Sequence, residues 1–492
     1  MALLGNLTGS SQYFNDDDFY SGTATQSLRF GRTGPKYLTR TPSSASNRRT
    51  WTWSGWIKPS IVGQAAPFFS ATTNSAVEFN GNAFRIYNWN GSSNDYILET
   101  NAFYRDASAW YHIAVAIDTT QGTASNRIKV YINGEQITSF STETYPSENF
   151  DGFVNSAAVH RVGSFSHTTS YSFDGYMAEV NFIDGLALTP TSFGETKNGV
   201  WIPKKYNGSY GTNGFRLQFN QVGVGTASTS TIGADTSGNT NHFTSSGIVA
   251  SDCAMPDSPE NNFATLNALN NQANSTLSEG NLKAVLASGA SARTPSTFAV
   301  SSGKWYWEVR QSSANRFGLG VFDTEKYVMT DEDAGADAHE WAWLTDGGDS
   351  STGILFNNSI SSNHGVEVAD GEVIMVALDA DNDAIWFGKE NSWFNTDGSS
   401  NSATVKTQIE AGTTTNAGHT SVTGTLTPVF VRQTSNDTLI VNFGQDSSFV
   451  GNETAAGNTD SNGIGDFAYA PPSGFLALCT ANLQEPTIGP NS

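Results

Sequence analysis

The chain has 492 residues, with 25 Lys plus Arg against 46 Asp plus Glu and a formal net charge of −21. Only 14% of residues are charged while Ser, Thr and Asn number 154, so small uncharged side chains carry the polarity, and these favour turns and strand faces over helix interiors. Too few clustered Lys and Arg are present to neutralise a phosphate backbone, no apolar run approaches the roughly 18 residues of a membrane-spanning helix, and two cysteines, Cys253 and Cys479, make neither a disulfide framework nor a zinc cluster. The 12% aromatic content argues against disorder, and the length accommodates two large β domains.

Along the chain, residues 1–25 carry Asp16-Asp17-Asp18 and no repeating pattern, which predicts either an extended arm or a loosely held terminus. The start, MALLGNLTGS, lacks the basic region and long apolar stretch of a secretory signal, so none is expected. Segment 50–58 (TWTWSGWIK) places Trp51, Trp53 and Gly55 on one face and Thr52, Ser54 and Trp56 on the other. Segment 110–118 alternates in the same way, and 127–137 sets Ile128, Val130 and Ile132 on one face before Asn133-Gly134, a hairpin signal because a type I′ turn needs positive φ twice. Short helices are expected near 190–196 and 282–287. Turn-rich 251–262 and Asn- and Ser-rich 267–278 predict a linker over 251–275, between a sandwich at 26–250 and another at 276–480. In the second half, 303–310 (GKWYWEVR) groups Trp305, Trp307 and Val309, and 373–379 (VIMVALD) reads as a strand buried on both faces. The Thr-rich 411–425 reads as a surface loop and 481–492 as a tail. The pattern is that of an all-β protein, two antiparallel β-sandwich (jelly-roll) domains in tandem.

Five stretches of the second half, GKWYWEV at 303–309, FGLGVF at 317–322, 373–393, 426–444 ending in NFG, and FAYAPPSGF at 467–475, resemble in order the strands of a SPRY (B30.2-like) domain. In the first half SLRF, YLTRT, WTWSGWI, WYHIAVAI, IKVYING and FDGYMAEVNF resemble a laminin-G or concanavalin A-like jelly roll. Together with 235–243 (DTSGNTNHF) and 257–266 (DSPENNFATL), this ordered pair is similar to virion surface proteins of tailed bacteriophages, where such modules occur in tail fibres, appendages and capsid decorations. The resemblance implies a non-enzymatic protein of the virion surface, assembled in the host cytoplasm. It would dock to other virion proteins through the N-terminal arm and bind a host surface glycan or protein through sandwich loops. A homo-oligomer, such as the trimer common among phage fibres, would fit. No nucleic-acid partner and no membrane insertion are expected. The alternatives are a capsid decoration protein, or a carbohydrate-active enzyme or carbohydrate-binding module.

No catalytic residue is expected. Glycosidases of the jelly-roll type pair two Glu on one strand, whereas Glu179 and Glu308 each stand alone in a predicted strand. The histidines, His160 and His167 among them, are scattered, and 348–351 (GDSS) reads as a turn rather than a nucleophile elbow. Segment 379–390 (DADNDAIWFGKE) imitates a calcium-loop spacing, but position six is Ala384 where that loop needs Gly, so a hairpin turn is the reading. No cofactor is expected; calcium is considered at two acidic loops, through Asp235 and Asn239 and through Asp331, Asp333 and Asp337, because laminin-G-like domains often hold it at a sheet rim. For ligand binding, Tyr87, Trp89, Asn90 and Tyr96 surround a predicted turn, where a Trp could stack on a sugar ring while Asn hydrogen-bonds its hydroxyls. Trp341, Trp343 and Trp393 read as core.

Overall fold

The alternation of large and small side chains in Thr50–Pro59 sets the first half of the molecule. In this computed structural model, Trp51, Trp53 and Ile57 point inward and join Phe68, Val115, Val130 and Phe182 in one core. The described residues are 19–483 apart from 33, 73, 166, 167, 169, 170, 273, 288–291, 313–316, 328–333, 346–352, 400 and 433–436. Thr50–Pro59 lies between Gly175–Asp184 and Tyr111–Asp118; Ile128–Ile132 and Glu135–Ile137 extend the sheet on one side and Leu28–Phe30 on the other. The predicted hairpin turn forms, with φ of 49° at Asn133 and 86° at Gly134. A second sheet runs Phe140–Thr144, Asn94–Phe103, Ala83–Trp89, Ser75–Asn80, Ala66–Ala71, His160–Val162, Tyr37–Arg40 and Thr244–Ser246. The apolar faces of the two sheets close on each other, so each sheet keeps one outward face for other uses.

The second half is also a two-sheet sandwich. Lys304–Gln311 lies between Val373–Asp379 and Asp437–Asn442 in one sheet, while Phe317–Asp323 lies between Glu340–Leu344 and Leu426–Arg432 in the other. Trp305, Trp307 and Val309 pack with Leu319, Trp343, Phe430 and Val441, while Tyr306 faces Trp386, Trp393 and Phe467 on the opposite side. Val373–Asp379 is buried throughout, as its unbroken apolar run predicts. Among the described residues the strand pairings are antiparallel except that of Leu476–Ala477 with Trp305 and Tyr306. Among the described residues no helix is long and apolar enough to cross a membrane.

Three local expectations fail. The stretch expected as a helix near 282–287 is the strand Lys283–Leu286, paired on both sides; Leu282, Ala284 and Leu286 are buried, so an alternation read as helical is used with period two. Near 190–196 only the short 3-10 turn Pro190–Ser192 forms, and Gly194–Lys197 continues as a strand against Val200–Pro203. The one α-helix among the described residues, Ser402–Ala411, falls where no helix is expected; it buries only Val405 and Ile409 and ends on Gly412 at φ 69°.

The expected linker is a strap. Linkers run through solvent with few crossing contacts, yet Asp252, Met255, Asp257, Phe263, Ala264 and Leu266 are buried. Met255 bridges to Ser27 of the first half, and Phe263 bridges to Cys479 of the second. Charged groups line this seam. The Arg29 guanidinium donates to Asp252 Oδ1 at 3.1 Å, to Asp446 Oδ2 at 2.9 Å and to the Ser251 carbonyl at 2.9 Å. Lys36 Nζ donates to the same Asp252 oxygen and to Glu279. Lys58 Nζ lies 2.7 Å from Asp257 Oδ2, and Trp110 donates to the other Asp257 oxygen.

The ends also differ from expectation. Of the predicted arm, Ala24 packs on Trp56 and Ala178, and the Thr23 and Ala24 amides donate to Glu260 Oε1; residues 1–18, with Asp16-Asp17-Asp18, lie outside the described residues. Of the tail, Thr480–Asn482 forms a 3-10 turn against the body, and 484–492 lie outside the described residues.

Candidate functional site

The strand Ala83–Trp89 alternates strictly, so Phe84, Ile86 and Asn88 turn inward and Arg85, Tyr87 and Trp89 lie half-buried on the outer face of the second sheet. The Arg85 guanidinium sits 4.9 Å from the Tyr87 ring centroid, which fixes both side chains. Glu78 and Glu99 are the cross-strand neighbours of Arg85. Arg85 Nε donates to Glu78 Oε1 at 2.7 Å, its Nη1 lies 3.7 Å from Glu99 Oε2, and Asn80 donates to that Glu99 oxygen at 3.0 Å. Burial pushes the Glu78 carboxyl up to about 7, against the pull of Arg85, and its Oε2 accepts no hydrogen bond.

Of the four predicted ligand residues, the structure keeps two on this face. Tyr96 is 2% exposed; it stands opposite Asn88 in the register and packs edge-on against Phe150 inside the sandwich, because its position shares the inward parity. Asn90 is exposed, but its side chain shapes its own turn, with Oδ1 accepting from the Ser92 and Ser93 amides and Nδ2 donating to Asp95. Tyr87 and Trp89 remain, with Arg85 as the added member. The sequence signal for Arg85 was the i, i+2 spacing in FRIYNW.

The calcium candidates among the described residues, Asp235, Asn239 and Asp337, do not form a metal site. Asp235 is buried, and its Oδ1 accepts from the Arg216 and Ser237 amides while Oδ2 accepts from Ser237 Oγ and the Asn241 amide, so protein donors hold both oxygens. Asn239 Nδ2 donates to the Gly211 and Gly214 carbonyls, which ties that loop to its neighbour. Asp337 accepts from the His339 amide and lies against its ring, whereas Asp331 and Asp333 fall outside the described residues. No group of three metal-ligating side chains occurs among the described residues. Millimolar calcium is therefore expected to leave the melting temperature unchanged. A rise of several degrees that EDTA abolishes would contradict this.

Other polar groups that the sequence singles out serve the fold. Glu179, at φ 47° in a bulge of Gly175–Asp184, grips Arg216 at 2.6 and 3.1 Å. Ser54 and His112 form a hydrogen-bonded pair at 2.9 Å, but the Trp201 indole donates to His112 Nδ1, so Nε2 carries the proton and donates to Ser54 Oγ, the reverse of an activated serine. His160 accepts the Asn155 amide on Nε2, and burial holds its pKa down to about 4; His167 and 348–351 are outside the described residues. Asp379 accepts from the Asp381 and Asn382 amides and closes the turn into Ala384–Lys389, and Trp341, Trp343 and Trp393 are core.

A half-buried Tyr and Trp beside Arg and carboxylates, on the outward face of a jelly-roll sheet, is an arrangement suited to stacking and hydrogen bonding. Residues 32–192 match the family model of the concanavalin A-like lectin/glucanases superfamily. That match covers the strands carrying Arg85, Tyr87 and Trp89 and stops short of the second half. No curated protein matches the chain at a significant level. Among solved structures, the SPRY domain of human HERC1 is similar at 15% identity, over 37% of this chain and 97% of that one, with a TM-score of 0.27. The TRIM65 PSpry domain is similar at 14% identity over 36% of this chain and 91% of its own, with a TM-score of 0.27. Stonustoxin is similar at 22% identity over 36% of this chain and 27% of its own, with a TM-score of 0.25. The family match over 32–192 agrees with the two-sheet sandwich of the first half.

Proposed function

We propose that the chain is a non-enzymatic recognition protein that binds a surface glycan through the outer face of its first sandwich, with Tyr87 and Trp89 stacking on sugar rings. The half-exposed Arg85–Tyr87–Trp89 row carries this reading, because it combines flat apolar surface with fixed polar donors on one rigid sheet. The superfamily match over 32–192 supports the ligand class. A hydrolase needs two carboxylates open to one glycosidic bond, whereas Glu78 and Glu99 both flank Arg85 and Glu78 is fully buried. The setting we propose is a virion surface, as a tail fibre or adhesin-like appendage, with capsid decoration as the alternative; the ordered resemblance of both halves to phage surface modules supports it.

Trp89→Ala is expected to weaken binding to host-surface polysaccharide at least tenfold with the melting temperature unmoved, read by surface plasmon resonance. Wild-type affinity in that variant, or release of oligosaccharides from the polysaccharide by the unmodified protein, would refute the reading. Locating the protein on an intact particle by electron microscopy tests the setting.

A further inference from the structure

The outward face of the other sheet of the first sandwich holds a pocket of about 270 Å³, lined by Ala116, Asp118, Lys129, Tyr131 and Leu188, with Gln121 and Asn126 at its rim. The outward positions Ala114 and Ala116 of Tyr111–Asp118 carry small side chains, and they form one buried cluster with Tyr131, which stands across from Ala114 in the register. Lys129 stands directly across from Ala116 in the register. The opposite wall is the loop 186–189, and a single hydroxyl pins it to the sheet: Thr52 Oγ1 donates to the Leu186 carbonyl at 2.7 Å and accepts from the Leu188 amide at 2.8 Å. Leu188 is held from behind by Ile183, Phe193 and Tyr210. Both walls are thus fixed by contacts outside the pocket.

The polar groups are placed and partly unused. Asp118 is oriented by the Thr120 amide and hydroxyl on Oδ1 and by Gln121 Nε2 on Oδ2. Partial burial would raise its pKa, but these hydrogen bonds and one from Thr50 hold it below the ordinary carboxylate value, so it is ionised at neutral pH. Lys129 makes no ion pair among the described residues. The pocket therefore offers an acceptor, a cationic donor and amides around an aromatic ring and a leucine.

We infer that this pocket is a second saccharide site, taking one uncharged hexose-sized sugar residue. Vicinal hydroxyls can donate to Asp118 and accept from Lys129 and Asn126, while the ring's C–H face meets Tyr131 and Leu188. A carboxylate-bearing sugar would meet the Asp118 charge at close range. The volume lies just under the roughly 300–1,000 Å³ of pockets for drug-sized ligands, which suits one ring and not a chain. The site shares its ligand class with the proposed function but not its residues, since Tyr87 and Trp89 lie on the other sheet.

The test uses the full chain, with glucose, galactose, mannose and N-acetylglucosamine as probes and glucuronate as the charged control, read by saturation-transfer NMR and titration calorimetry. At least one neutral sugar is expected to bind with millimolar affinity. Lys129→Met and Ala187→Trp, the latter placing a bulky ring from an exposed loop position into the pocket, should each weaken that binding at least tenfold, with unchanged melting. Trp89→Ala should leave it intact. If no neutral sugar binds, if glucuronate binds better, or if both pocket variants bind normally, the inference falls. If Trp89→Ala abolishes monosaccharide binding while the pocket variants do not, the inference falls and the Tyr87–Trp89 reading stands. Loss in the pocket variants alone, with Trp89→Ala normal on polysaccharide, upholds the pocket and refutes the other face.

Discussion

Arg29→Met is expected to destabilise the protein by about 3–5 kcal/mol, because it removes a cation from a buried cluster, weakens the hold on Asp252 and strands the Asp446 carboxylate. Arg29 and Asp252 are both fully buried, and Asp446 is nearly so. Lys36 still reaches Asp252, but Arg29 is the only cation paired with Asp446 among the described residues. The three partners come from the first half, the strap and the second half, so the loss should be felt by the molecule as a unit. Urea unfolding followed by tryptophan fluorescence should show one transition, with its midpoint displaced to lower urea. A loss under about 1 kcal/mol, or two transitions of which the later keeps its wild-type midpoint, would show that the seam does not couple the halves.

Glu308→Ala should have a comparable effect from within the second sandwich, about 3–5 kcal/mol. The Glu308 carboxylate is fully buried and gathers four donors: Tyr306 Oη and the Tyr469 amide on Oε1, and Asn442 Nδ2 and the Ala468 amide on Oε2. Each donor left without an acceptor in the interior costs about 1–3 kcal/mol, partly relieved where a water can enter. The two backbone amides belong to the segment that brings Phe467 against Tyr306, so the loss also loosens that edge of the core. Glu308→Gln keeps one acceptor oxygen and should lose distinctly less. Equal melting of the Ala variant and the wild-type protein would refute the assignment.

The strands whose side chains alternate by size were legible from the sequence, since Trp51 and Trp53, Ile128 and Val130, or Trp305 and Trp307 leave no choice of face once one side must be buried. The segment 282–287 was not, because LKAVLA satisfies either period and only pairing with Ser275–Ser278 and Asp437–Asn442 decides it. The strap was misread for a related reason. Its Asp, Ser, Pro and Asn are turn formers, and their burial depends on Arg29 and Lys58, which lie more than 190 positions away in the chain, to judge from the separations of 223 and 199. On the outer face of Ala83–Trp89, Arg85, Tyr87 and Trp89 share one parity, whereas Tyr96 stands across from Asn88 and turns inward, a register that the expected turn alone does not reveal. The pocket at Lys129 and Asp118 was invisible, because its wall depends on the Thr52 hydroxyl holding a loop 134 residues onward.

A strap that is buried, ion-paired to the first half and hydrogen-bonded to the second also limits how the molecule can meet an extended target. A flexible tether lets two binding surfaces search a range of separations and settle on the one that a target presents. Here Met255 is fastened to Ser27 and Phe263 to Cys479, which leaves little slack to search with. Surfaces on the two halves are therefore offered at one fixed spacing. A target whose own repeat matches that spacing gains the full benefit of simultaneous engagement, and one whose repeat differs gains none.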